Sequence, residues 1–427
     1  MLTGAAGLWT VAAELGLMFI GSALPTPLYP IYQRQFQFSE LVLTLLFAVY
    51  VVGASIALLL FGRLSDQIGR RRTMLPAIVI TAISTVAFLM PVSLAVLFVG
   101  RLLSGLAIGL ATGTATAWIA ELEPREHRGR ATLIAVGANM VGLAIGPVLS
   151  GFLARYAPDP LRLVYAIYLG MLLPAALAAA KVQETIRHPV RRAGDLDLWP
   201  RLWVPAGLCQ QFVAPAATAF AIFALLGFAT ALVPSVMAHD LRQSSEAVAG
   251  LVVAELFLLG AVTTVLCAGL TSRAAMLSGL ILLLPTLGLL VLAEAERSMP
   301  ILIVDSALAG ITAALGYRGS LQVVNEIAPA EARAELVSSY LVACYAGISL
   351  PVIGIALISH WVTSFVADLV FAVVVAIAAM AAIAVGLRYA KALRGGSRKT
   401  LGRSAPLHPN ARHPISRLDR WRTSGNE

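Results

Sequence analysis

Gly62-Arg63-Leu64-Ser65-Asp66-Gln67-Ile68-Gly69-Arg70-Arg71-Arg72 lies between two long apolar runs, residues 41–61 and 74–90. Each run approaches the roughly 20 apolar residues that a helix needs to cross a bilayer core. The stretch therefore reads as a tight polar loop joining two membrane spans. Gly62 permits close helix approach and Gly69 a tight turn. The arginine cluster anchors the loop at an anionic, cytoplasmic lipid surface.

Working outward, the same alternation covers most of the chain. Six apolar runs (8–31, 41–61, 74–90, 94–119, 133–154, 163–180) are followed by six more (203–237, 248–270, 274–293, 300–324, 336–359, 365–387). The 427 residues are 59% hydrophobic and 12% charged, against about 25% charged in soluble domains. This predicts an all-α polytopic membrane protein with twelve transmembrane helices. Residues 1–182 form one six-helix bundle, 183–202 a cytoplasmic linker, 203–390 a second bundle and 391–427 a basic disordered tail. Met1 to Trp9 hold no Lys or Arg, so the first run lacks the basic region of a cleaved leader and is expected to be retained. Cys209, Cys267 and Cys344 have no paired spacing and read as small core residues.

Charge placement sets the orientation. One set of alternate loops holds fourteen Lys and Arg and the other five, and such bias marks the cytoplasmic side. The tail adds ten to the richer side, so both termini are expected in the cytoplasm and the protein in an inner membrane. The formal charge of +9 belongs to loops and tail and implies no nucleic acid. A shift of 205 residues pairs Gly105 with Gly310, Glu121 with Glu326, Pro124 with Pro329, Arg128 with Arg333 and Gly142 with Gly347. The two bundles are thus related by an internal repeat, as in repeat-built transporters.

The loop from Gly62 to Arg72 resembles the signature loop of the major facilitator superfamily, G-x-L-[AS]-D-x-x-G-[RK]-[RK]. The resemblance implies that Gly62, Asp66, Gly69, Arg70 and Arg71 control conformational switching, with Asp66 held against the start of the eleventh helix, where unsatisfied N–H groups favour a carboxylate. Leu97 to Gly105 resembles the family's l-x-x-x-R-x-x-q-G, with Ser104 in place of the amide, and implies that Arg101 binds substrate or tunes a proton carrier. Gly142, Gly146, Pro147 and Gly151 match the antiporter signature G-x-x-x-G-P-x-x-G-G apart from Ser150. Small residues there permit close helix packing, and Pro147 permits a bend.

Three acids fall inside spans: Glu14, Glu255 and Asp305. Each is costly there if charged and unpaired, and an apolar setting favours the protonated form, so all three are candidates for proton coupling, Glu14 first. Arg101, Gln210, Gln211, Tyr317 and Asn139 are candidates for the substrate cavity. Nucleotide loops, metal clusters and hydrolytic triads are missing from the sequence, so neither an enzyme nor a resident cofactor is expected. The reading is a monomeric secondary transporter in the lipid bilayer, exporting a small-molecule substrate, a drug or metabolite, in exchange for protons. An importer of the same fold, such as a sugar or organic-acid symporter, is the first alternative, and a non-transporting membrane sensor or scaffold the second.

Overall fold

A computed structural model describes residues 1–401 except 91–92, 125–127, 187–188, 191–195, 197–201, 240, 330–331 and 360. It divides into two units. Met1–Gly386 carries the spans, and Leu387–Glu427 continues the last helix as far as Leu401. The helix thus passes the 390/391 boundary expected from sequence; residues 402–427, where most of the expected tail falls, lie outside the described residues, as does most of the linker.

Among the described residues twelve helices are long and apolar enough to cross a membrane, as the apolar runs predict. Span 1 is broken into Gly4–Ala23, a 3-10 turn Thr26–Leu28 and Tyr29–Phe36. Span 2 is Glu40–Phe61, span 3 Arg70–Leu89, span 4 Leu94–Leu122, span 5 Arg128–Tyr156 and span 6 Pro160–Lys181. Span 7 is also broken, into Cys209–Ala231 and Val233–His239. Span 8 is Glu246–Leu266, span 9 Ser272–Ala295, span 10 Met299–Ile327, span 11 Arg333–Ile358 and span 12 Ser364–Gly386. Both breaks coincide with prolines, Pro25 and Pro27 in span 1 and Pro234 in span 7, each of which removes a backbone donor. Exposed Leu173, Leu177, Ile281, Val374 and Met380 form the apolar exterior that lipid, not water, can cover.

The repeat is visible in the packing. Span 2 packs on span 4 and span 8 on span 10; span 1 packs on span 5 and span 7 on span 11. Gly105 of span 4 lies against Tyr50 and Ala54 of span 2, and its repeat partner Gly310 of span 10 lies against Leu256 and Gly260 of span 8. Gly142 meets Gly16 of span 1, and Gly347 meets Phe220 of span 7. The halves join through span 5 on span 8 and span 2 on span 11. Phe47, Val51 and Ala144 from the first half belong to the buried cluster that fills the second.

A Cβ at Gly105 or Gly310 would overlap backbone atoms of the facing helix, which cannot rotate aside. Gly105→Val and Gly310→Val should each destabilise by at least about 2 kcal/mol, the overpacking range. Gly113→Ala, with no atom within 4 Å of the added methyl, should be neutral or stabilising. Melting followed by tryptophan fluorescence in detergent checks all three.

Candidate functional site

On the Arg-rich face, Gly69 takes φ 112° and turns the chain from the short helix Leu64–Ile68 into span 3. Arg70 opens that span and is almost fully buried. Its guanidinium holds Glu121 at the end of span 4 with two bonds, Nη2 to Oε1 at 2.5 Å and Nε to Oε2 at 3.1 Å. Nη1 reaches Asp66 Oδ1 at 2.6 Å and Ser65 Oγ at 2.6 Å. The forked geometry suits an arginine and not a lysine.

Glu184, just past span 6, completes the cluster. Its carboxylate accepts the backbone N–H of Arg70 at 2.9 Å and of Arg71 at 3.0 Å, satisfying donors that a helix start leaves free. A Cβ on Gly69 would lie 2.6 Å from Glu184 Oε2, so glycine is needed for the neighbour as well as for φ. Thr185 Oγ1 donates to Glu121 at 2.5 Å, Val190 N–H to the Gln67 carbonyl at 2.7 Å, and Trp118 Nε1 to the Gln183 carbonyl at 3.0 Å. Leu2 exchanges backbone bonds with Lys181 at 2.7 Å and Gln183 at 3.0 Å. The signature loop is thus clamped by the linker's start. Asp66 is 56% exposed and pairs with Arg70. In this conformation its partner is not the start of span 11 that the resemblance implied.

The second half has a weaker copy. Glu326, the repeat partner of Glu121, accepts from Ser272 Oγ at 2.5 Å, and Arg318 donates to the carbonyls of Cys267 and Ala268 at the end of span 8. The hydroxyl replaces the guanidinium, and no acid stands where Asp66 does.

Arg101 is 1% exposed, and its partners come from spans 1 and 2. Nη1 donates to the Ser22 carbonyl at 3.0 Å and Nη2 to the Tyr29 hydroxyl. The guanidinium carbon lies 5.3 Å from the Tyr29 ring centre and 5.1 Å from that of Tyr50, within cation–π range. Ser22 and Tyr29 flank the break in span 1, so Arg101 ties its two pieces together. Among the described residues it meets no carboxylate, and it is not gathered with Gln210, Gln211 or Tyr317. Tyr317 is half-buried beside Phe223 and Tyr340, at 5.3 and 6.5 Å between ring centres. Gln210 is exposed and Gln211 half-buried at the Arg-rich end of span 7. Asn139 keeps a buried Oδ1 without a partner.

The antiporter-signature glycines serve two different contacts. Gly142 and Gly146 pack on Gly16 and Ile20 of span 1, whereas Gly151 meets Glu246 and Ala247 of span 8. Gly250 returns the contact against Pro147. Arg34 reaches Glu246 at 3.3 Å, and the outer pieces of spans 1 and 7 touch. The mouth on the Arg-poor side is therefore shut.

The three acids differ in setting. Glu14 is 3% exposed, with both carboxyl oxygens unpartnered. Asp305 is 4% exposed, with Oδ1 unpartnered. Glu255 is half-exposed and shares a helix stripe with exposed Leu251, Leu258 and Val262. The spacing places it on the outer face of span 8 and away from Leu256 and Gly260, which meet span 10. Two buried acids escaped the reading from sequence, Glu294 and Asp368, because each sits near a span end where a border carboxyl is ordinary. Glu184 carried no pattern that would have found it.

Residues 15–295 match the family described as Major Facilitator Superfamily, and that match covers more than half the chain. The chain belongs to this superfamily. The structure of a bacterial homolog of the human lysosomal transporter Spinster, in an inward-facing and unoccupied conformation, aligns with TM-score 0.69 and 17% identity over 90% of this chain and 97% of that one, which supports the superfamily fold. An uncharacterized transporter of Schizosaccharomyces pombe is 32% identical over 29% of this chain and 25% of its own length. The glucose transporter GlcP of Staphylococcus epidermidis is 31% identical over 25% and 23% respectively, and multidrug resistance protein 2 of Bacillus subtilis 23% identical over 34% and 36%. The chain thus spans about a quarter to a third of these relatives.

Removing Glu121 leaves the buried Arg70 without its two-bond partner, and Glu121→Gln should lower stability by about 1–3 kcal/mol. Asp66→Asn removes a pair that water already screens and should change it by under about 1 kcal/mol. Thermal melts of the purified variants distinguish the two.

Proposed function

We propose that this superfamily member is a secondary transporter that exports a small organic compound, a drug or metabolite, in exchange for protons. Glu14 carries the reading. It is a carboxyl in the first span, buried, with neither oxygen bonded. An acid so placed is expensive when charged and suits a group that is loaded with a proton from one side and unloaded to the other. Substrate and proton then compete for the same state of the protein, which links their opposite movements. The glycines of span 5 support export, since they are the residues of the antiporter signature and form the seam along spans 1 and 8. The name of the multidrug resistance relative fits a drug as the compound carried.

In this reading Asp66 and Arg70 form a switch, with Glu121 and Glu184 holding Arg70 in position while Asp66 changes partners as the halves rock. Arg101 is a positioning residue that fixes the break in span 1. The protein works as a monomer, in an inner membrane, with the Arg-rich face in the cytoplasm as the loop bias requires.

Overexpression should raise tolerance to at least one toxic compound of a broad panel. That compound should then move protons across proteoliposomes containing trapped pyranine. Glu14→Gln should abolish the coupled proton movement; if Glu14→Gln retains it while Glu255→Gln loses it, the coupling belongs to span 8. Asp66→Asn should abolish transport while leaving equilibrium substrate binding within a few-fold, and wild-type transport by that variant would remove the switch. Arg101→Ala should insert in the membrane yet lose transport.

A further inference from the structure

Each half sets an ionisable side chain against the break in its first span. In the first half this is Arg101, whose two terminal nitrogens bond Ser22 and Tyr29 on the two sides of the break. The repeat carries position 101 to Ser306, and the neighbouring Asp305 lines a cavity of about 20 Å³. Phe228 and Ala229 before the break in span 7 and Val233 after it line the same cavity. The volume suffices for about one water molecule. Asp305 Oδ1 has no partner there, and the Ser306 hydroxyl is engaged, donating to the Val252 carbonyl at 2.7 Å.

Apart from Asp305, none of the cavity's lining residues from spans 7, 8, 9 and 10 is titratable. The acids on the packed elements lie elsewhere. Glu255 is on the outer face of span 8. Glu294 is one turn past the lining Leu290 of span 9, and Asp368 of span 12 faces Leu232, Ser235 and Val236 across a second cavity of about 20 Å³. Both Glu294 and Asp368 engage other groups. Asp305 is therefore the acid that meets the break with a free oxygen.

We propose that Asp305 controls the Arg-poor mouth by its protonation: protonated, it lets the outer piece of span 7, Val233–His239, seal the mouth; ionised, it draws water into the cavity and releases that piece. An unpaired carboxylate inside an apolar lining costs several kcal/mol, so the shut conformation selects the neutral acid. Movement of Val233 away from Phe228 opens the cavity and removes the cost. Val233–His239 touches the outer piece of span 1, which carries Arg34 to Glu246, so release of one piece loosens the seam. A proton arriving from the Arg-poor side would then close the mouth behind itself, the order an exchanger needs. This rests on the export reading only for its direction, and it assigns Asp305 a role separate from that of Glu14.

The test reads the mouth and not transport. The full chain, with Cys209, Cys267 and Cys344 replaced by Ala, carries spin labels at Gln37 and Ser244, which are exposed on the two sides of the mouth. Distances are measured in lipid nanodiscs from pH 5 to 9. The short distance should dominate in acid and a longer one should grow as pH rises, by up to about tenfold per pH unit, the limit for one proton. Asp305→Asn, and Asp305→Ser as a second variant should the first fold poorly, should keep the short distance throughout. Glu14→Gln should respond as wild type. A wild type indifferent to pH, or an Asp305 variant with the wild-type response, overturns the proposal; so does loss of the response in Glu14→Gln. Transport by Glu14→Gln that stays proton-driven would instead overturn the assignment of proton coupling to Glu14 and leave this one standing.

Discussion

Water is missing from the core of a bilayer, so a backbone carbonyl freed where a helix breaks must find its donor within the protein. Span 1 contains Pro25 and Pro27, and without another donor its break would leave polar groups stranded. Arg101 answers that need from span 4, bonding the Ser22 carbonyl and the Tyr29 hydroxyl across the gap. The aromatic faces of Tyr29 and Tyr50 hold the remaining charge. The outer piece of span 1, and with it Arg34 at the mouth, is tied through this cation to span 4 and packs on the outer piece of span 7. A buried guanidinium is tolerated because it serves as the missing donor.

The repeat shows what happens when the same frame is filled with different residues. Close helix contacts survive, as at Gly105 with Gly310 and Gly142 with Gly347, because overlap at a crossing admits no substitute. The cations at positions 70 and 101 do not survive. Arg70 with Glu121 becomes Ser272 with Glu326, and Arg101 gives way to Ser306 beside Asp305. The first half is thus stabilised at both faces by cations with several bonds each, whereas at the equivalent positions the second half has hydroxyls and a free acid, with Arg318 bonding the end of span 8 instead. Relative movement is easier to start from the side that is held less tightly.

Much of this was legible in sequence. The twelve spans follow from apolar runs, since length and hydropathy are enough to specify a helix in lipid, and the loop at Gly62 to Arg72 identified the family. The settings of single side chains were less accessible. Arg101 reads as a cavity residue because a charge inside a span suggests function, yet its contacts are with a neighbouring helix break. Glu255 looks central by depth, but depth does not fix rotation about the helix axis, and the stripe with Leu251 and Leu258 turns it outward. Glu184 lies in a linker of ordinary composition, and only the approach of span 3 to the end of span 6 gives it a task.

Leu2 bonds to Lys181 and Gln183, residues made about 180 positions later. At a synthesis rate of roughly 5–20 residues per second, Leu2 waits about 10–40 seconds for its partners to be made. During that interval spans 1 to 6 enter the membrane one after another, and the stitch can close only when the last of them is in place. Its closure marks the first bundle as complete before most of the second has been made. The order of synthesis thereby becomes an order of assembly, in which the later bundle docks onto a partner that is already shaped.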